Sequence, residues 1–250
     1  MNSPEEVKPY DDKKDKGEQV EQMFDSIAPA YDFMNTAMTF GLHRRWRDKA
    51  LRGVCAALEG VAAPRVLDLA CGTGDVTLRL ADMLPGALIT GADLSAGMLE
   101  VARRKLGKAD VSTRRRIVFR QADALRMPFA DGEFDAVTIA YGVRNFQNLR
   151  AGYAEMRRVL RPGGTLCVIE LCEPANLLIR LGYKFYTRSL IPLAGRLVSK
   201  DPRAYTYLPQ SIAACPQRED MTAVMREAGY TGAMHRVLFP GVCAIYTAQA

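Results

Sequence analysis

The sequence predicts an α/β fold: a mainly parallel, seven-stranded, Rossmann-like sheet ending in an antiparallel hairpin. An N-terminal helical lid and a helical insertion before the last strands are added to it. Three observations predict this. Short apolar runs alternate with amphipathic helical patterns from residue 65 to residue 170, the rhythm of right-handed βαβ units around a parallel sheet. A Gly-x-Gly turn separates the first strand from its helix. Two strand-like runs joined at Pro240-Gly241 close the chain.

Residues 1–19 are charged and aperiodic, and are read as a flexible tail; 20–250 is read as one domain. Between Gln22 and Arg52, aromatic, methionine and polar residues mix. The pattern gives two short helices with a loop around Asn35–Gly41, then a longer helix from His43 to Leu58 ending near Gly60. Arg65–Leu69 is the first strand, and Val76–Leu84 is a helix closed by Pro85-Gly86. Leu88–Ala92 is the second strand, ending in Asp93, and Ala96–Leu106 is a helix. Arg116–Arg120 alternates as a half-buried strand, Asp135–Ala140 is the fourth strand, and Leu149–Leu160 is a helix. Arg161-Pro162-Gly163-Gly164 is a sharp turn into a strand at Thr165–Glu170. Residues 177–213 leave this rhythm for a long apolar, basic and tyrosine-rich helical stretch. A helix at 217–228 precedes the closing strands, Thr231–Leu238 and Val242–Thr247.

The 250 residues, 48% apolar and 25% charged, are enough for one domain with a sizeable core. No uncharged run exceeds that of 204–217 or 237–250, 14 residues each, so no membrane span is expected. The charged N-terminus carries no apolar signal segment. Six cysteines, at 55, 71, 167, 172, 215 and 243, form no CxxC pair. They are read as reduced core thiols, and no metal site is expected. The net charge is +6; residues 1–21 hold seven acids against four lysines, leaving +9 on the rest. Such a body suits nucleic acid, an anionic membrane surface or an acidic ligand, and charge alone does not choose.

The most informative segment is Val66-Leu67-Asp68-Leu69-Ala70-Cys71-Gly72-Thr73-Gly74-Asp75. It puts a glycine turn at the carboxyl edge of the sheet, where such folds bind ligands. Asp93 follows Gly74 by nineteen residues, placed to accept both ribose hydroxyls of a nucleoside. A phosphate-cradling GxxxxGK[ST] loop is absent, and a dinucleotide loop would need glycine where Thr77 stands. Asp75 at the helix start would repel a pyrophosphate. S-adenosylmethionine, a nucleoside with a sulfonium cation and no phosphate, suits Asp68 and Asp75. The segment resembles the first motif of class I methyltransferases. Asp93-Leu94-Ser95 with Met98-Leu99 resembles their second-strand turn. Gln121-Ala122-Asp123-Ala124 resembles the pair that holds adenine, Asp123 on the exocyclic amine and the Ala124 amide on a ring nitrogen. The resemblance implies a cofactor set of Asp68, Gly72, Thr73, Gly74, Asp93, Leu94, Met98, Asp123, Ala124 and Ala140, within a cofactor-binding core over 64–170.

The flanks narrow the family. Tyr31-Asp32-Phe33-Met34-Asn35, Gly41-Leu42-His43-Arg44-Arg45-Trp46, Tyr141-Gly142-Val143-Arg144-Asn145, and Ser199-Lys200-Asp201 through Ser211-Ile212 resemble the C-methyltransferases of ubiquinone and menaquinone biosynthesis. That resemblance runs from about residue 20 to 247. It implies methylation of a ring carbon of a prenylated quinol, demethylmenaquinol first, with a benzoquinol precursor of ubiquinone as a further substrate; methylation of another lipophilic small molecule by the same fold is the alternative. The 20–60 region is then a lid and 175–215 a substrate and membrane segment. Cys71 and Ala140 depart from the commoner glycine and serine of the family.

Methylating a quinol carbon needs an electron-rich ring held in line with the methyl group, and afterwards a proton acceptor. Arg144, just past the fourth strand, is the leading catalytic candidate, able to stabilise a phenolate or orient a water; an ion-paired loop arginine is the alternative. Asn145 is a neighbouring hydrogen-bond donor to a ring oxygen. For Tyr31 and Asn35, substrate contact and a buried polar contact both stand. For His43, acid–base work and helix capping both stand, whereas His235 is read as structural. Trp46 and the methionines are read as packing.

Arg180, Lys184 and Arg188 fall on one face of a helix until Pro192 breaks it, with Arg196 and Lys200 beyond. Pattern alone leaves a solvated surface helix and a helix on an anionic membrane equally open. The resemblance favours the membrane, and hence a cytoplasmic protein peripherally bound to the inner face of the cytoplasmic membrane. A homodimer is compatible with the sequence. An RNA-binding module would interleave aromatics with its basic residues. Arg103–Arg120 has eight basic residues but only Phe119, so no nucleic-acid partner is expected.

Overall fold

The structure, a computed structural model, describes residues 4–11, 13–190, 201 and 203–250. Seven strands form its frame: β1 (Arg65–Leu69), β2 (Leu88–Asp93), β3 (Ile117–Gln121), β4 (Phe134–Ala140), β5 (Leu160–Leu171), β6 (Thr231–Leu238) and β7 (Cys243–Gln249). Their order is β3-β2-β1-β4-β5-β7-β6. The first five run parallel, and β7 lies antiparallel between β5 and β6, as the sequence predicts. Strand order reverses direction at β1 and β4, so the crevice beyond their carboxyl ends is the ligand-binding edge.

Ten helices are described: α1 (Lys16–Ile27), α2 (Tyr31–Thr39), α3 (Leu42–Ala57), α4 (Asp75–Met83), α5 (Ala96–Leu106), α6 (Val111–Arg114), α7 (Leu149–Val159), α8 (Leu177–Phe185), α9 (Arg203–Ala214) and α10 (Glu219–Glu227). Apolar strands buried on both faces require a helical layer on each side. On one face Tyr153, Met156, Met221 and Met225 pack with Tyr246. On the other, Trp46, Leu51, Leu80 and Leu99 pack with Cys167. A third cluster joins the lid to α9 through Met23, Ile27, Met34, Tyr205 and Tyr207. It lies over the carboxyl edge and roofs the site.

Three local expectations change. The loop around Asn35–Gly41 is helical as far as Thr39, because Met34 buries a helical face; the turn is confined to Phe40 and Gly41, at φ 50° and 74°. The turn at Arg161–Gly164 is a bulge within β5, since Leu160 pairs with Phe134 and Thr165 with Ala136. The segment before residue 20 makes specific contacts. Lys16 is 1% exposed, and its Nζ donates to the Pro4 carbonyl at 2.6 Å and the Arg144 carbonyl at 3.2 Å. Pro192, Arg196 and Lys200 lie outside the described residues.

Candidate active site

Two cavities meet at the carboxyl ends of β1 and β4. One, of about 250 Å³, lies over β2 and the turn after β3. The other, of about 280 Å³, lies beneath α2 and α9. Phe24, Tyr31, Ala70, Gly72, Ala140 and Asn145 line both. The junction exists because the chain turns sharply after each strand. Ala70 and Tyr141 take the left-handed conformation at φ 50° and 60°, and a side chain on Gly142 would press within 2.8 Å of Ala70 Cβ.

The smaller cavity gathers Asp93, Leu94, Met98, Asp123 and Ala124. Asp93 accepts the Gly72 N–H at 2.7 Å on one oxygen and the Ser95 N–H at 2.9 Å on the other. These bonds join the glycine turn to the end of β2 and leave further lone pairs for a diol. Burial nevertheless raises the Asp93 carboxyl to about 6. Asp123 is fixed by accepting the Leu125 N–H at 2.9 Å. An acid beside an apolar floor, with a second acid fixed in the next turn, suits an adenosine, so the residues present fit the nucleoside expected from sequence. Asp15, Gly17, Glu18 and Glu21 close this cavity, although sequence reading left Asp15, Gly17 and Glu18 in the tail.

Gly74 lines neither cavity. At φ +80°, a Cβ on it would stand 2.9 Å from Ala102 Cβ, so its role is to let the turn pack on α5. Asp68 and Thr73 open on the larger cavity. Asp68 accepts from the Thr77 hydroxyl at 2.6 Å and the Thr138 hydroxyl at 3.1 Å, yet burial raises its carboxyl to about 7. Asp75, expected to face a cofactor cation, is paired with Lys105 at 2.6 Å and Arg47 at 3.2 Å. Burial pushes its carboxyl up, but Lys105 and Arg47 outweigh that and hold it below the usual range. Lys105 also bonds Asp32 of α2 at 2.5 Å, and Thr73 donates to Asp32 at 2.6 Å. The lid is thereby latched over the glycine turn, through residues that sequence reading did not single out for it.

The larger cavity brings together Tyr31, Asn35, His43, Arg144 and Asn145, from three separated stretches of sequence. Arg144 is 7% exposed and pairs with Glu170 at 2.9 Å. Asn145 accepts from the Tyr207 hydroxyl at 3.2 Å. His43 Nδ1 lies 2.6 Å from the Thr39 hydroxyl; burial, with Arg47 and Arg44, lowers its pKa to about 4. It is therefore neutral and weakly basic, which fits a packing and hydrogen-bonding role better than proton transfer. Burial raises the Tyr31 hydroxyl, keeping it protonated. Trp46, Met23 and Met34 are buried in the core clusters, as the sequence suggests, and together with Met38 they also line the wall of this cavity. Glu170 and Tyr207 were missed as site residues. Glu170 carried one signal, a carboxylate ending an otherwise apolar strand.

Comparison with known proteins matches the ubiE/COQ5 methyltransferase family over residues 12–250. The chain belongs to this family. A Porphyromonas gingivalis protein named demethylmenaquinone methyltransferase is 44% identical over 247 residues, covering 98% of both chains. A Geotalea daltonii protein named ubiquinone/menaquinone biosynthesis C-methyltransferase UbiE is 39% identical over 236 residues, covering 94% of this chain and 97% of that one. Among solved structures, a Thermotoga maritima SAM-dependent methyltransferase described as a possible histamine N-methyltransferase superposes with TM-score 0.62 at 17% identity, covering 91% of this chain and 98% of that one. A likeness that distant supports the α/β methyltransferase fold alone. Family membership makes this chain a methyltransferase.

Proposed function

We propose that the chain transfers a methyl group from S-adenosylmethionine to a ring carbon of a prenylated quinol, with demethylmenaquinol as substrate. The observation that carries this is the junction of the two cavities: a site with Asp93 and Asp123 on its floor and turn opens directly onto a largely apolar one in which the guanidinium of Arg144 is buried beside Tyr31 and Asn145. The names of the 39–44% identical relatives support the same substrate.

The cofactor supplies an activated methyl group. Asp93 would hold its ribose and Asp123 with Ala124 its adenine, while Leu94 and Met98 pack on it and Gly72 and Thr73 bound its methionine end. Arg144 donates to a ring oxygen and stabilises negative charge developing on the quinol. Asn145, oriented by Tyr207, donates to the same ring. Tyr31, on the wall shared by both cavities, excludes water from the junction and helps align the reactants. His43 supports the wall as a neutral group.

The prenyl chain must leave the cavity past Phe40, Tyr183, Tyr186 and Pro240, which stand at its apolar margin. Outside it Phe40 is 82% exposed, Phe239 87% and Leu178 79%. On α8 the exposed apolar side chains are Leu177, Leu178, Ile179, Leu181 and Phe185, whereas Arg180 and Lys184 are half-buried. An outward apolar face is the reverse of a solvated surface helix and supports seating in a bilayer whose anionic head groups the basic residues meet. Among the described residues no helix is long and apolar enough to cross a membrane.

Labelled S-adenosylmethionine offered with demethylmenaquinol, a benzoquinol precursor and RNA in parallel tests the reading. Label in a quinol is expected. Label in RNA alone would overturn it.

A further inference from the structure

Glu170 is 1% exposed and lies near the carboxyl end of β5, between apolar neighbours Ile169 and Leu171. It is paired in register with Ala244 of β7. A lone carboxylate there would cost several kcal/mol of desolvation, so its partners explain its presence. Oε1 accepts from Arg144 Nη1 at 2.9 Å and from the Leu171 N–H at 2.8 Å. Oε2 accepts the Arg144 backbone N–H at a longer 3.4 Å. Arg144 Nη1 also donates to the Tyr141 carbonyl. One edge of the guanidinium is thus bound back into the protein.

The group is planar and rigid, so fixing Nη1 fixes the direction of Nε. Arg144 Nε is buried and has no partner, alone among the buried side-chain nitrogens and oxygens of the described residues. It belongs to a residue lining the larger cavity. A buried donor left without an acceptor is costly and rare in native proteins, and a catalytic role is one of the reasons for which one is kept. Both halves of the arrangement follow from Glu170: the bound edge, and the free edge left over.

We propose that Glu170 is a positioning residue for methyl transfer, holding Arg144 so that the side of its guanidinium turned away from Glu170 stands as a fixed donor to the substrate's ring oxygen. It acts through Arg144 and does not touch the substrate. The proposal rests on the quinol methylation reading. Glu170→Gln keeps the volume and one acceptor but loses the charge pair, so kcat falls about tenfold or more. The dissociation constant for S-adenosylmethionine stays within about twofold, because the nucleoside cavity is untouched.

The deciding measurement is a double-mutant cycle in kcat on demethylmenaquinol, using Glu170→Gln, Arg144→Ala and the pair. If Glu170 works only through Arg144, the double variant is no slower than Arg144→Ala alone. The double variant also lacks the unpaired buried charge that could unfold a single one, and cofactor binding reports that each variant is folded. Additive losses would make Glu170 merely structural and overturn the proposal, as would a Glu170→Gln variant of unchanged kcat. A parent chain inactive on every quinol would instead count against the functional reading.

Discussion

At Asp68 the fold buries a carboxyl between β1, α4 and β4 and supplies two hydroxyls but, among the described residues, no cation in contact. Below about pH 4 this group is neutral in both the folded and the unfolded chain and costs nothing. As pH rises towards 7 the unfolded chain ionises while the buried carboxyl, raised to about 7, stays protonated. Folding therefore loses stability across that window, by about 4 kcal/mol in all, and the loss saturates above pH 7. Thermal unfolding of the ligand-free chain between pH 4 and 8 should carry this fall together with a smaller one from Asp93, raised to about 6, against an opposing rise from His43, lowered to about 4. Asp68→Asn should remove the Asp68 share and leave a shallower profile than the parent's. At Arg144 the expected effect is on turnover: Arg144→Ala lowers kcat by about a hundredfold and leaves cofactor affinity nearly unchanged. Equal loss of both would assign Arg144 to structure. The same variant strands Glu170 without its cation, so its unfolding temperature should drop in the same experiment. Arg144, Asn145 and Tyr31 were legible in the sequence because they sit in short blocks at predictable edges. Glu170 was not, since its partner lies 26 residues away and only the pairing of β4 with β5 brings them together.

Among elements, α2 is the one whose position matters most for the site. Its apolar face packs in the lid cluster through Met34, and its Asp32 is tied to Lys105 of α5 and to Thr73. These groups are partly exposed, so each contact contributes little by itself, on the order of 1 kcal/mol or less. Lys105→Met removes two ion pairs together. S-adenosylmethionine is expected to dissociate about tenfold faster in stopped-flow measurements, and added salt should shift the parent chain in the same direction. An unchanged dissociation rate in low salt would show that the lid closes by apolar packing alone. Sequence periodicity located the helices around this latch. It could not pair Asp32 with Lys105, because their meeting depends on how α2 crosses the sheet edge.

For the whole molecule, the membrane contact proposed above would draw on two features of α8, the half-buried Arg180 and Lys184 and the exposed apolar residues beside them. Anionic vesicles should bind the chain in two parts: a salt-sensitive part from Arg180 and Lys184, and a salt-resistant part from apolar insertion. Replacing Leu178 and Phe239 by serine should lower vesicle binding at high salt by about tenfold or more, while methylation of a short-chain, water-soluble quinol continues. Binding that vanishes entirely with salt would remove the apolar part. By itself the sequence determined the strand order's raw material, the glycine turn, the acid at the end of β2 and the family, because periodicity and short motifs are local properties of the chain. Tertiary structure alone decided that residues before position 20 close the nucleoside cavity, that Asp75 is spent on Lys105 and Arg47, and that Glu170 holds Arg144. Each of these depends on contacts between groups far apart in the chain, and burial then sets which of them remain charged.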